Sequence, residues 1–379
     1  MEISLLVEAI EVLDEILLLG VINDEEHTIA TNLVLKRRKF NARLAASFAL
    51  IQSISDVMRV SGNYGFDEEH ITASLTGSLT ANLTWFAKSY RRIGGTETLP
   101  AFRWVHQTKQ SEARSGIDFG ILARVPGGTS ARAWRLVVIQ AKVGRTKGLK
   151  IAIDHETNSE GKPKPELTDE ASEIFAVAAR TRAARAFVMS PAVRRAITIA
   201  NKGFSSGERR YQLETILRTD LRGRVLARTN RDWCFYAAWF PQHDPLVIDV
   251  RALAAATLAV GPKNSPTRYS FQGNPLAFKD MFMNTIFAPD SPYGIVLSDK
   301  LVGDVVDDLL ETAPEIRLLM ACADGRLDYN LNTEKKLVVS GSLIPEHLIF
   351  PSAAPDLSDD LDQDLADQAE ETTPGVLKR

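Results

Sequence analysis

Residues 134–143 constrain this chain more than any other stretch. The run Leu136-Val137-Val138-Ile139 is apolar and rich in β-branched side chains, which fits a strand buried on both faces. It ends, however, in Gln140-Ala141-Lys142. Side chains alternate faces along a strand, so Gln140 and Lys142 share one side while Ile139 and Ala141 share the other. An apolar strand that carries an amide and an ammonium on one face needs partners there, because a buried lysine is costly unless paired. Asp118, set between Ile117 and Phe119 in the preceding strand, supplies one such partner.

Around this strand the expected order is helix, three strands, helix, strand. Asp67 caps a helix with Ile71, Leu75, Leu79, Leu83 and Phe86 on one face. Residues 102–107 and 117–125 are the first two strands, and Pro126-Gly127-Gly128 turns the chain into the third. A polar loop over 144–165 leads to a helix capped by Thr168, with Asp169 and Glu170 in its first turn and Ala171, Ile174, Phe175 and Ala178 buried. Residues 186–189 are expected as the closing strand, stopped by Pro191.

Upstream, residues 3–20 and 25–60 show helical apolar spacing, which ends at Ser61-Gly62-Asn63-Tyr64-Gly65. Downstream, residues 235–240, 246–250 and 337–340 are strand candidates and 302–310 a helix candidate. The fold class is therefore α/β. Four segments are expected: a helical N-terminal region (1–62), a core (63–204), a mixed α+β C-terminal domain (205–351) and an acidic tail (352–379) that is too polar to fold.

Charge and cysteines narrow the function classes. The net charge is −3, but the tail carries eight carboxylates against Lys378 and Arg379, so it holds −6 and the preceding chain +3. The two cysteines, Cys234 and Cys322, exclude a disulfide scaffold and a cysteine-rich zinc site, and suit a cytoplasmic location. No stretch is apolar enough to span a membrane, and the acids within residues 1–22 argue against a signal peptide. There is no G-x-S-x-G elbow and no phosphate-binding G-x-x-x-x-G-K-[ST] loop.

Asp118, Gln140 and Lys142 on adjoining strands are a set that phosphodiester hydrolysis can use. A carboxylate, an amide oxygen and the Ala141 carbonyl are hard ligands suited to Mg²⁺. Lys142 is placed to position an attacking hydroxide and to offset phosphate charge. Other readings stay open beside this one. Asp118 also suits a strand end, and Lys142 could reach solvent from one. His106 and His155 lie near in sequence as lone histidines, and Arg124, Arg145, Lys147 and Lys150 border the set as cations able to hold phosphates.

The order of elements, with Gly116-Ile117-Asp118 on the second strand and Val138-Ile139-Gln140-Ala141-Lys142 on the third, resembles the PD-(D/E)XK nuclease superfamily over roughly residues 65–192. The Q-x-K form is especially similar to Mrr-like members. The helix opening Glu68-Glu69-His70-Ile71-Thr72 is similar to the superfamily's first helix, and Glu68 falls on its apolar stripe. Glu68 equally suits a first-turn acid that stabilises the helix dipole. The resemblance implies a restriction-endonuclease-like core and a Mg²⁺- or Mn²⁺-dependent endonuclease. Its catalytic residues would be Asp118, Gln140, Lys142 and Glu68, and its metal ligands Asp118, Gln140, Ala141 and Glu68. It also implies DNA as substrate, a role in restriction or antiviral defence with a protein partner, and self-association. The glutamine in place of the usual acid keeps a second expectation alive, an inactive nuclease fold that binds nucleic acid or assembles with protein.

Overall fold

The computed structural model describes residues 42–64, 68–92, 95–107, 117–126, 133–153, 168–182, 187–202, 212–241, 243–260, 268–312, 316–323 and 337–342. The N-terminal helix expected at 3–20, the cap Asp67 and the tail 352–379 lie outside these residues. The described chain forms a mixed α/β fold. In order the elements are α1 (Ala42–Tyr64), α2 (Glu68–Arg92), β1 (Ala101–Gln107), β2 (Phe119–Arg124), β3 (Ala133–Arg145), β4 (Lys150–Ala152), α3 (Asp169–Arg182), α4 (Pro191–Asn201) and α5 (Gln212–Ala227). There follow β5 (Cys234–Phe240), β6 (His243–Asp249), α6 (Val250–Val260), β7 (Arg268–Ser270), β8 (Leu276–Ala277), α7 (Phe278–Phe287), β9 (Ile295–Ser298), α8 (Asp299–Thr312), β10 (Arg317–Cys322) and β11 (Leu337–Ser342).

The strands join in one sheet of order β11-β1-β10-β2-β3-β5-β6-β8, with β9 beside the first half of β3 and β4 beside its end. β3 runs antiparallel to β2 and parallel to β5. Two cores flank it, one on each face. The first holds Phe48 and Ile54 of α1, the Ile71, Leu75, Leu79 and Leu83 stripe of α2, Met281 and Phe282 of α7, and Ile121, Val137, Ile139, Ala141 and Trp239 of the sheet. The second holds Leu136, Val138 and Tyr236 against Phe175 of α3, Leu217 of α5, Leu253 of α6 and Leu309 of α8. α4 adds an outer layer on α3 and α5 through Val193, Ala196, Val177 and Leu221.

Most expected elements form close to their anticipated bounds, and Thr168 Oγ1 accepts the Ala171 N–H (3.1 Å) as the cap of α3. Two expectations need correction. Helix α1 does not break at Ser61 but continues through Gly62 to Tyr64; a glycine inside a helix costs only about 1 kcal/mol. Residues 187–190 are not a sheet strand: Val188 and Met189 are exposed, and Ser190 with Pro191 starts α4, Ser190 Oγ accepting from Val193 N. The strand parallel to β3 is β5, whose seven residues are all buried. Strands from after residue 204 join the same sheet. β10 sits between β1 and β2, antiparallel to the first and parallel to the second.

Close packing at the end of β3 fixes one glycine. A Cβ on Gly144 would stand 2.1 Å from the Phe240 ring. Gly144→Ala should therefore lower the unfolding free energy by about 1–3 kcal/mol through overpacking. Adding Phe240→Leu should recover part of that loss in urea denaturation; no recovery would place the strain elsewhere.

Candidate functional site

Asp118 is the residue before β2, and its backbone N–H donates to the Ile139 carbonyl (3.1 Å). Beyond that bond the side chain takes over the ladder. Asp118 Oδ2 accepts the Ala141 backbone N–H at 2.6 Å and the Gln140 side-chain Nε2 at 2.7 Å. Gln140 Nε2 also donates to the Ala141 carbonyl (2.9 Å). One amide nitrogen thus stands between two of the oxygens expected as metal ligands. Gln140 Oε1 is buried and has no hydrogen-bond partner among the described residues.

Strand alternation places the rest. Ile139 and Ala141 enter the first core, whereas Gln140 and Lys142 share the second face with Leu136 and Val138. Gln140 and Lys142 are each only 2 % exposed, so both lie inside the protein, and Asp118 is half-buried. On β5 their neighbours are Tyr236 and Ala238. The Tyr236 hydroxyl donates to the Ile153 carbonyl (3.2 Å) and closes that flank. Glu68 opens α2, but its side chain lies outside the described residues, as do those of His106 and His155. The structure therefore joins Asp118, Gln140 and Ala141 by hydrogen bonds and sets Lys142 on the same face. Among the described residues no group of three or more His, Cys, Asp or Glu could hold a metal. The donor set here has one carboxylate.

The basic residues expected around the site divide. Arg124 pairs with Trp134, at the opposite end of β3 from Lys142, so it does not border the site. Arg145, Lys147 and Lys150 are exposed just past Lys142. A fifth cation, Arg135, is fully buried and structural. Its Nη1 donates to the carbonyls of Thr285 (2.9 Å) and Ala288 (2.6 Å), and its Nη2 to that of Pro289 (2.9 Å), which satisfies the end of α7. An arginine inside the apolar run of β3 was a legible sign of such a role.

Sequence reasoning also missed a buried ionic network at the start of β5. Arg224 Nε donates to Asp220 Oδ2 (2.7 Å), and its Nη2 lies 3.5 Å from Asp232 Oδ1, which also pairs with Arg251. Arg251 Nη1 donates to Asn230 Oδ1 and to the Thr181 carbonyl, both at 2.8 Å, tying α6 to α3. The four-residue spacing of Asp220 and Arg224 on α5 was its only sequence signal. Beside it, burial first and then the Asp220 charge push the Cys234 thiol well above its usual range. No family model, curated protein or solved structure matches this chain.

The site geometry makes Asp118 a structural residue as well as a chemical one. Asp118→Ala strips the acceptor from two donors, the backbone N–H of buried Ala141 and the side chain of buried Gln140. It should cost about 1–3 kcal/mol in denaturant unfolding. Asp118→Asn keeps an acceptor and should cost less. Equal losses would show that the charge, not the acceptor, joins the strand ends.

Proposed function

We propose that the chain is a metal-dependent nuclease acting on DNA, with a restriction-endonuclease-like core formed by α2, β1, β2, β3, α3 and β5. The observation that carries the reading is the meeting of Asp118 with Gln140 and Ala141, on the face that also bears Lys142. A parallel strand after the α3 crossover supports it as well.

The donor chemistry fits Mg²⁺ or Mn²⁺ on one condition. Asp118 Oδ2 and the Ala141 carbonyl are hard oxygens, and Gln140 Oε1 is a buried acceptor with no described partner. The amide must turn so that Oε1, rather than Nε2, faces the other two. A bound divalent ion would supply Lewis-acid stabilisation and acidify a water. Lys142 then offsets the phosphate charge and orients the attacking oxygen. Burial strengthens that electrostatic effect by excluding water. Glu68, at the start of α2, is the further ligand this reading expects. A role in restriction or antiviral defence rests on the resemblance alone.

One observation favours a second reading, an inactive nuclease fold that binds nucleic acid. With Nε2 between the two oxygens, the Asp118 carboxylate and the Ala141 carbonyl are bonded without a metal, and the set holds one carboxylate and one lysine. Plasmid and single-stranded DNA incubated with Mg²⁺, with Mn²⁺ and with chelator separate the two readings. Cleavage should require the metal, and Lys142→Ala should slow it by two or more orders of magnitude. Gln140→Glu, which needs no amide rotation, should cleave at a lower Mg²⁺ concentration. DNA binding without cleavage under any metal would leave the second reading standing, and unchanged cleavage by Lys142→Ala would sink the site assignment.

A further inference from the structure

Residues 119–153 contain no aspartate or glutamate, although acids and bases are nearly balanced over the whole chain. Of its seven cations, Arg135 caps α7, Lys142 belongs to the site, Arg124 lies at the far end of β3, and Arg132 is outside the described residues. Arg145, Lys147 and Lys150 remain. All three are exposed on the hairpin that joins β3 to β4, and none makes an ion pair or side-chain hydrogen bond with a described residue.

The hairpin is held rigid at a local cost. Leu149 N donates to the Thr146 carbonyl (3.1 Å) across the turn, Gly148 has φ +77°, and Leu149 has φ +43°, which side chains rarely adopt. The tip is fastened from outside. Ser270 Oγ donates to the Gly148 carbonyl (2.7 Å), Phe271 N to the Leu149 carbonyl (3.0 Å), and Thr146 Oγ1 to the Pro241 carbonyl (3.2 Å). Beneath it Leu149 and Tyr269 pack on the second core, and Phe271 meets Phe240 edge-on. In the β3–β4 register Arg145 stands directly opposite Lys150. Like charges facing each other across antiparallel strands repel. A fixed, strained turn that presents facing cations, with no acid paired to them among the described residues, is unfavourable by itself and becomes favourable beside an anion.

We infer that the β3–β4 hairpin, through Arg145, Lys147 and Lys150, is a rigid basic ribbon that grips the backbone of duplex DNA beside the end of β3 that carries Lys142. The naming of DNA rests on the nuclease reading; the polyanion contact does not. Arg145 lies about 10 Å beyond Lys142 along the strand, at ~3.3 Å per residue. Duplex DNA carries a charge about every 1.7 Å along its axis. A duplex following the ribbon thus offers several phosphates to the three cations. These contacts bind without reading sequence.

The test uses the full chain and a fluorescein-labelled DNA duplex, with binding measured by anisotropy from 50 to 200 mM salt. The triple variant Arg145→Ala, Lys147→Ala, Lys150→Ala should bind at least tenfold more weakly at 50 mM. It should lose about 2–3 from the log–log salt slope, each released contact being worth ~0.9. The single reversal Lys147→Glu, at the exposed tip, should show a smaller loss of the same kind with an unchanged melting temperature. Wild-type affinity and slope in both variants would overturn the inference, whether or not the protein cleaves DNA. So would binding of anionic phosphatidylserine vesicles in preference to the duplex. Reduced binding together with absent cleavage would uphold the ribbon and count against the nuclease reading, so the two fail separately.

Discussion

Everything near the site depends on how β3 is held. The strand is buried on both faces and bonded along both edges, to β2 on one side and to β9 and then β5 on the other. Where β2 begins, the backbone ladder would run out and leave the Ala141 N–H without an acceptor. The Asp118 carboxylate fills that place. A single side chain thus extends the pairing of β2 and β3, and the same bond sets its oxygen beside Gln140. Chemistry and architecture share one hydrogen bond, which is why a group so exacting in its contacts can stay fixed at a strand end.

The part of this that was legible in the sequence is local. Period-two alternation in β3 placed Gln140 and Lys142 on one face, and the 3.6-residue stripe of α2 gave its buried side chains. The glutamine was recognised as a ligand candidate, but not that its nitrogen would be the atom turned inward; amide orientation depends on which neighbours are acceptors. Long-range pairing was not legible either. Nothing in residues 317–322 marks them as the strand that parts β1 from β2, since a short apolar run fits several slots in a sheet. The closing strand was misplaced for the same reason. Val188 and Met189 look like strand residues, yet β5 buries a longer apolar run in that slot.

The protein treats its positive charges in two ways. Buried arginines are surrounded by acceptors: Arg135 by the carbonyls ending α7, Arg218 by Glu214 and the Ile199 carbonyl, Arg251 by Asp232 and Asn230. Each depends on its partners, because a buried charge that loses them is strongly destabilising. These groups lock α3, α5, α6 and α7 around the sheet. The exposed cations of the β3–β4 hairpin receive no such treatment, although the backbone beneath them is as firmly tied. Position and pairing, rather than residue type, separate structural charge from charge kept available.

The insertion of β10 between β1 and β2 bears on how the molecule comes into being. During synthesis β1, β2 and β3 emerge early, but the edge of β2 that faces away from β3 gains its partner only when residues 317–322 arrive. Until then β1 has neither of its described neighbours, β10 and β11. Bare strand edges in a growing chain invite pairing with other chains. Strand partners so distant in sequence also make assembly slow. The ribosome therefore releases a chain whose site-bearing strands are made first and secured last, and the finished protein cannot be shortened from its C-terminal side past β10 without reopening the middle of its sheet.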